Sequence, residues 1–146
     1  MLFTRLKNCI CLALAAALAT GLFFAAQSVS ACKLSAILGE RTFYLDSCSS
    51  QSLRKTTLTL RDIPRVRGEC VRFDFSGEAQ TLVQEILNKY DAELLFCERA
   101  GGSVCYYAYS SALVGGVQIN GYPVNLQIAL NATECAVGTP LIFDGF

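Results

Sequence analysis

An uncharged apolar run from Cys9 to Ala26 divides this chain into two unlike parts. As a helix, a run of that length reaches across most of the hydrocarbon core of a bilayer. It carries no polar stripe of the kind that a helix on a soluble core shows to water. Arg5 and Lys7 precede it, and Gln27-Ser28-Val29-Ser30-Ala31 follows, with small and polar residues where a signal peptidase can cut. A basic start, an apolar middle and a small-residue exit are the three parts of a secretory signal. Residues 1–31 are therefore read as a signal peptide or an N-terminal membrane anchor, and residues 32–146 as a single exported domain. Val29-Ser30-Ala31 before Cys32 also fits the box that precedes a lipidated cysteine, which makes Cys32 a candidate lipidation site. Cleavage, retention and lipidation all place the domain outside the cytoplasm, secreted or on the extracytoplasmic face of the membrane. The run also inflates the 53% hydrophobic content, so that figure does not argue for further spans.

Without Arg5 and Lys7, the exported part keeps 10 of the 12 basic residues against all 12 acidic ones. A small negative balance offers no field for polyanions, so nucleic acid is not an expected partner. The membrane enters only through the N-terminal segment. The chain has no histidine, which closes the Ser-His-Asp and Cys-His routes to an activated nucleophile. Six cysteines follow the signal: Cys32, Cys48, Cys70, Cys97, Cys105 and Cys135. They are too scattered for a zinc-binding C-x-x-C and allow too many pairings for spacing to choose a disulfide framework. No cofactor and no metal site is expected.

The exported part alternates like a sheet and turns once like a helix. Strands are read at Arg41–Asp46, Lys55–Arg61 and Glu69–Phe75, the second with Thr56, Leu58 and Leu60 on one face. Ala79, Leu82, Val83, Ile86, Leu87 and Tyr90 then recur at helical spacing, with Ser76 or Gly77 placed to cap and Lys89 in the last turn. Glu93–Glu98 and Ser103–Ser110 flank Ala100-Gly101-Gly102 as a hairpin. A second hairpin turns at Asn120-Gly121 and leads into an alternating strand from Tyr122 through Leu130. A last strand runs from Cys135 to Phe143, kinked or ended by Gly138 and Pro140. The fold class is α+β: a mostly antiparallel sheet of about seven strands with one amphipathic helix packed on one face.

Few side chains offer chemistry. A glycosidase-like carboxylate pair remains open among the acidic residues, although most of those sit at turns and strand faces. The basic residues Arg61, Arg65, Arg67 and Arg72 form a candidate interaction surface. Tyr107 and Tyr109 share one face of a strand and extend it, since tyrosine is favoured both in strands and at interfaces. A disulfide between Cys97 and Cys105 follows if the turn between them is an odd-residue loop centred on Gly101, which makes the two directly opposed. A two-residue Gly-Gly turn pairs Cys105 with Glu98 instead.

The segments GECVRFDF, YYAYSSAL, INGYPVNLQIAL and VGTPLIFDGF, in this order and around the amphipathic helix, resemble the C-terminal part of the YwmB-like proteins. These are exported proteins of endospore-forming bacteria, and the resemblance spans about residues 68–146. It implies a fold akin to the TATA-box-binding protein and a link to sporulation or cell-wall processes, and it carries over no functional residues. On these grounds the chain reads as a non-enzymatic envelope protein with a structural or partner-binding role. Its expected partner is an envelope protein or a wall polymer. The alternative is a cell-wall-active enzyme or enzyme accessory that works through carboxylates, and a non-specific nucleic-acid binder ranks last.

Overall fold

A computed structural model describes residues 2–146, with the side chains of Lys7, Cys9–Ala26 and Cys32–Phe146. Arg5 and the exit motif Gln27–Ala31 lie outside the residues whose side chains are described. The apolar run sits in helix α1 (Leu2–Ala31), where Cys9–Ala26 has a mean hydropathy of 2.3 and none of its residues is buried. Leu12, Leu14, Leu18 and Leu22 are 59–75% exposed. The helix is long and apolar enough to cross a membrane.

The rest is an α+β domain around a seven-stranded antiparallel sheet, in the order β2-β1-β3-β9-β8-β5-β4. The strands are β1 (Glu40–Leu45), β2 (Leu53–Lys55), β3 (Val66–Asp74), β4 (Ala92–Ala100), β5 (Ser103–Ser110), β8 (Leu126–Leu130) and β9 (Glu134–Thr139). A separate two-stranded ribbon, β6 (Val117–Ile119) and β7 (Tyr122–Val124), closes at Asn120-Gly121. Both turn residues have positive φ, 52° and 84°, as a tight hairpin of this type requires.

Helix α2 (Ala79–Lys89) lies on one face and buries Val83, Ile86 and Leu87, with Ala79 and Leu82 half-buried beside them. Their counterparts on the sheet are Val71, Ala108, Leu126, Ile128, Leu130, Cys135 and Val137. The helix starts one or two residues later than its sequence suggests. Glu78, not Ser76 or Gly77, is the capping residue, and its carboxylate accepts from Thr81 Oγ1 rather than from a backbone amide.

Two strands differ from the sequence reading for local polar reasons. The run Lys55–Arg61 is strand only as far as Lys55, because the buried Asp62 gathers the rest into a loop. Its carboxylate accepts from Lys55 Nζ, Thr59 N and Thr59 Oγ1, which replaces a ladder with side-chain-to-backbone bonds. The long strand from Tyr122 is cut at the buried Asn125. Its amide accepts from Ser110 N and donates to Ser110 O and Leu113 O, so it serves as a substitute peptide group where β7 leaves the sheet.

Candidate functional site

The sheet face away from α2 is built differently. There Tyr44, Thr42, Cys70, Arg72, Ala136, Gly138 and Gln127 align across β1, β3, β9 and β8. Nothing helical covers them. After Thr139 the chain doubles back, and Ile142, Phe143 and Phe146 pack on Tyr44, Cys70 and Ala136. Polar bonds hold this tail: Gln127 Oε1 accepts from Ile142 N, the Tyr44 hydroxyl donates to Asp144 and accepts from Phe143 N, and Arg72 donates to Gly145 O. Arg72 also pairs with Asp144 at 3.2 Å and Glu134 at 3.6 Å, and lies over the Phe146 ring. Gly138 makes the approach fit, since a Cβ there would stand 2.7 Å from the backbone nitrogen of Ile142. Burial raises the Tyr44 phenol and pushes the Cys70 thiol up to about 12, with Asp144 adding to both.

The tail covers only part of that face. On β4 and β5 it gives way to an aromatic patch. Phe96 stacks on Tyr107 at 4.5 Å and meets Tyr122 of the small ribbon at 5.6 Å. Tyr109, two residues along the same face, is 41% exposed, and Tyr122 is 47% exposed. Phe96 reaches this face because of a bulge: Leu94 pairs with Ala108 on the helix side, and the extra residue Leu95 then swings Phe96 over to Tyr107. The patch borders β4, a nine-residue edge strand paired only with β5.

The arginines and tyrosines of the candidate interaction surface fall into three places. Tyr107 and Tyr109 belong to the aromatic patch. Arg72 turns under the tail as its anchor and is not part of an open surface. Arg61, Arg65 and Arg67 lie towards the opposite edge of the sheet, Arg61 in the loop after β2, Arg65 in the turn before β3 and Arg67 near the start of β3. Arg65 binds Asp46 through two bonds and approaches Asp62, while Arg67 donates only to the carbonyls of Pro64 and Val66. Arg61 is exposed, and no hydrogen bond or ion pair holds it among the described residues. Cys32 lines a groove of about 570 Å³ with Phe43, Thr56–Leu60 and Ile63, next to this cluster.

The Cys97–Cys105 disulfide does not form. The turn holds two residues, Gly101 and Gly102, so Ala100 opposes Ser103, Glu98 opposes Cys105 and Cys97 opposes Tyr106. The two thiols thereby sit on opposite faces of the sheet. Buried Cys135, like Cys70, is pushed up to about 12 by desolvation, the signature of an inert core thiol.

A polar group that sequence reading missed lies under α1's exit. Glu69 is fully buried on the helix side, where one carboxylate oxygen accepts from Leu34 N and the other has no partner. Arg41 sits nearby and donates to the carbonyls of Leu34 and Ile37. Burial pushes the Glu69 carboxyl up, offset in part by the Leu34 amide and the charges of Arg41 and Lys33. The pair ties the segment after α1 to β1 and β3. The strand pattern around Glu69 alternates normally, so only the crossing of residues 33–38 overhead reveals its burial. Among the described residues no group of three His, Cys, Asp or Glu side chains converges as metal ligands.

No family model, curated protein or solved structure matches this chain.

Proposed function

We propose that the chain is an extracytoplasmic protein, sent to or held at a membrane by α1, whose folded domain binds a partner in the cell envelope rather than turning over a substrate. The observation that supports this reading best is the aromatic patch Phe96/Tyr107/Tyr122 beside a nine-residue edge strand whose outer side pairs with no other strand. An exposed edge offers backbone hydrogen bonds to an extended segment, and flanking aromatic rings supply pockets for its side chains. Glu93 and Glu98 border the rings on the same face and favour a partner segment with basic residues. An envelope protein meets that description more directly than a wall polymer. The resemblance to the YwmB-like proteins adds sporulation or cell-wall processes as the setting.

The test is a photo-crosslinking amino acid placed at Tyr109 and, as a control, at Gln84 on the solvated side of α2, followed by irradiation of intact cells. A discrete adduct from position 109 alone is the expected result. Equal labelling from both positions, or none from position 109, would remove the patch as the binding site.

A further inference from the structure

We infer that the loop from Thr56 to Pro64, which carries Arg61, rests on the surface of an anionic phospholipid bilayer. This inference depends on the reading of α1 as a membrane-inserted helix.

Three observations carry it. The first is depth. Phe23 and Phe24 of α1 and Leu60, Ile63 and Pro64 of the loop line one common pocket, so the loop touches the helix inside the apolar window that ends at Ala26. At a rise of about 1.5 Å per residue, that contact lies some 3–5 Å inside the window's outer end. A domain held this way dips its loop tip into the headgroup region when the window fills the hydrocarbon core. The second is surface chemistry. Leu60 is 59% exposed at the tip, an apolar side chain with no place in a soluble core. Lys55, Arg61, Arg65 and Arg67, near it along the chain, bring four cations, against the two carboxylates of Asp46 and Asp62. The chain as a whole is neutral, so this end is a local basic patch. Asp62 neutralises Lys55, and Asp46 neutralises Arg65. Arg61 next to the apolar tip is the cation left for a lipid phosphate, and Arg67 is bonded only to backbone carbonyls. A leucine tip with flanking cations is the make-up of an interfacial membrane contact.

The third observation is where the chain goes after α1. Cys32, the residue that follows the helix, lines the groove formed by Phe43, Leu58, Leu60 and Ile63, so the chain leaves the helix against the same loop.

The chain contains no tryptophan, which provides a clean depth probe. Single-tryptophan forms of the full chain, Leu60→Trp, Leu18→Trp and Tyr109→Trp, are reconstituted into phosphatidylcholine vesicles with or without phosphatidylglycerol. Each is measured with lipids brominated near the headgroup end or near the chain end. Tryptophan at 60 should shift to the blue and lose fluorescence to the shallow bromines, more so with phosphatidylglycerol. Tryptophan at 109, on the far side of the sheet, should be unaffected. Tryptophan at 18 should be quenched by the deep bromines. Arg61→Glu in the Leu60→Trp background should reverse the gain from phosphatidylglycerol.

If position 18 is quenched and position 60 is not, the helix is inserted and the loop contact is wrong. If position 18 is not quenched, the inserted helix is wrong and the inference falls with it. Quenching at 60 that ignores both phosphatidylglycerol and Arg61→Glu would overturn the anionic part.

Discussion

The two faces of the sheet are covered by opposite means. On one side α2 lays a stripe of Val83, Ile86 and Leu87 on aliphatic strand residues, and area removed from water does the work. On the other, a seven-residue tail with no regular structure is pinned by Tyr44, Arg72, Gln127 and two phenylalanine rings. A helix satisfies its own backbone, so it needs only an apolar stripe. An irregular segment cannot, so each of its amides and carbonyls must find a side chain on the surface beneath. The difference shows in β8, whose five residues are all buried although Gln127 is among them. Gln127 is inside because it serves the tail, not because the strand faces a helix on both sides.

The contrast can be broken by substitution, and the helix face should respond most. Ile86→Ala is expected to cost about 2–5 kcal/mol in urea unfolding, as for other buried large-to-small changes. A cost near zero would mean that the helix does not rest where it is placed. On the tail face, Tyr44→Phe should cost about 1–3 kcal/mol, since Phe143 N and Asp144 lose a shared partner in a half-buried setting. Amide exchange would sharpen the result: residues 142–146 should lose protection while α2 keeps it. Uniform loss across both would show that the tail is part of one cooperative core.

A pH series separates the helix side from the loop after β2. The folded state holds the Glu69 carboxyl above its ordinary value of about 4.3, so the unfolded chain ionises first as pH rises. Stability from this group is complete below the ordinary value and is lost as pH climbs through the raised one. Glu69→Gln keeps an oxygen for Leu34 N and removes the titration. It should therefore gain on the parent protein as pH rises past the ordinary carboxyl value. A difference constant with pH would contradict the assignment. Asp62 acts in the opposite sense, because Lys55 and Thr59 hold its carboxyl well below the usual range. Its contribution is present near neutrality and is lost on acidification. The smallest effect belongs to Gln84→Ala on the solvated side of α2, within about 0.5 kcal/mol.

What the residues disclose in advance follows periodicity. The stripe of α2, the Asn120-Gly121 turn and the antiparallel class are all legible, because a repeat or a φ requirement is local. Asp62 and Asn125 were not, since each breaks an alternating run by bonds whose partners alternation does not mark. The last strand reads on from Cys135 to Phe143, kinked or ended at Gly138 and Pro140, because Leu141-Ile142-Phe143 is as apolar as any strand here. Only contact with Tyr44 and Gln127, distant in sequence, shows that it folds back. The Arg61–Arg72 grouping failed similarly. Nearness along the chain does not reveal that Arg72 points to the side where the tail lies. The aromatic patch depends on a single inserted residue in β4, which no pattern of polarity announces.

Gly138 acts as a gauge for the spacing between two layers. Stacked sheets stand about 10 Å apart because side chains from both fill the gap. Here one layer is a bare backbone laid on another, and the missing Cβ sets a separation that only glycine permits. Where comparison of whole sequences finds nothing similar, such a gauge offers a narrower criterion for kinship. A chain built on this plan must carry a glycine in the central strand, opposite a glutamine on one neighbour. A few residues later it must carry an aromatic residue and an aspartate that reach a tyrosine two strands away on the same face.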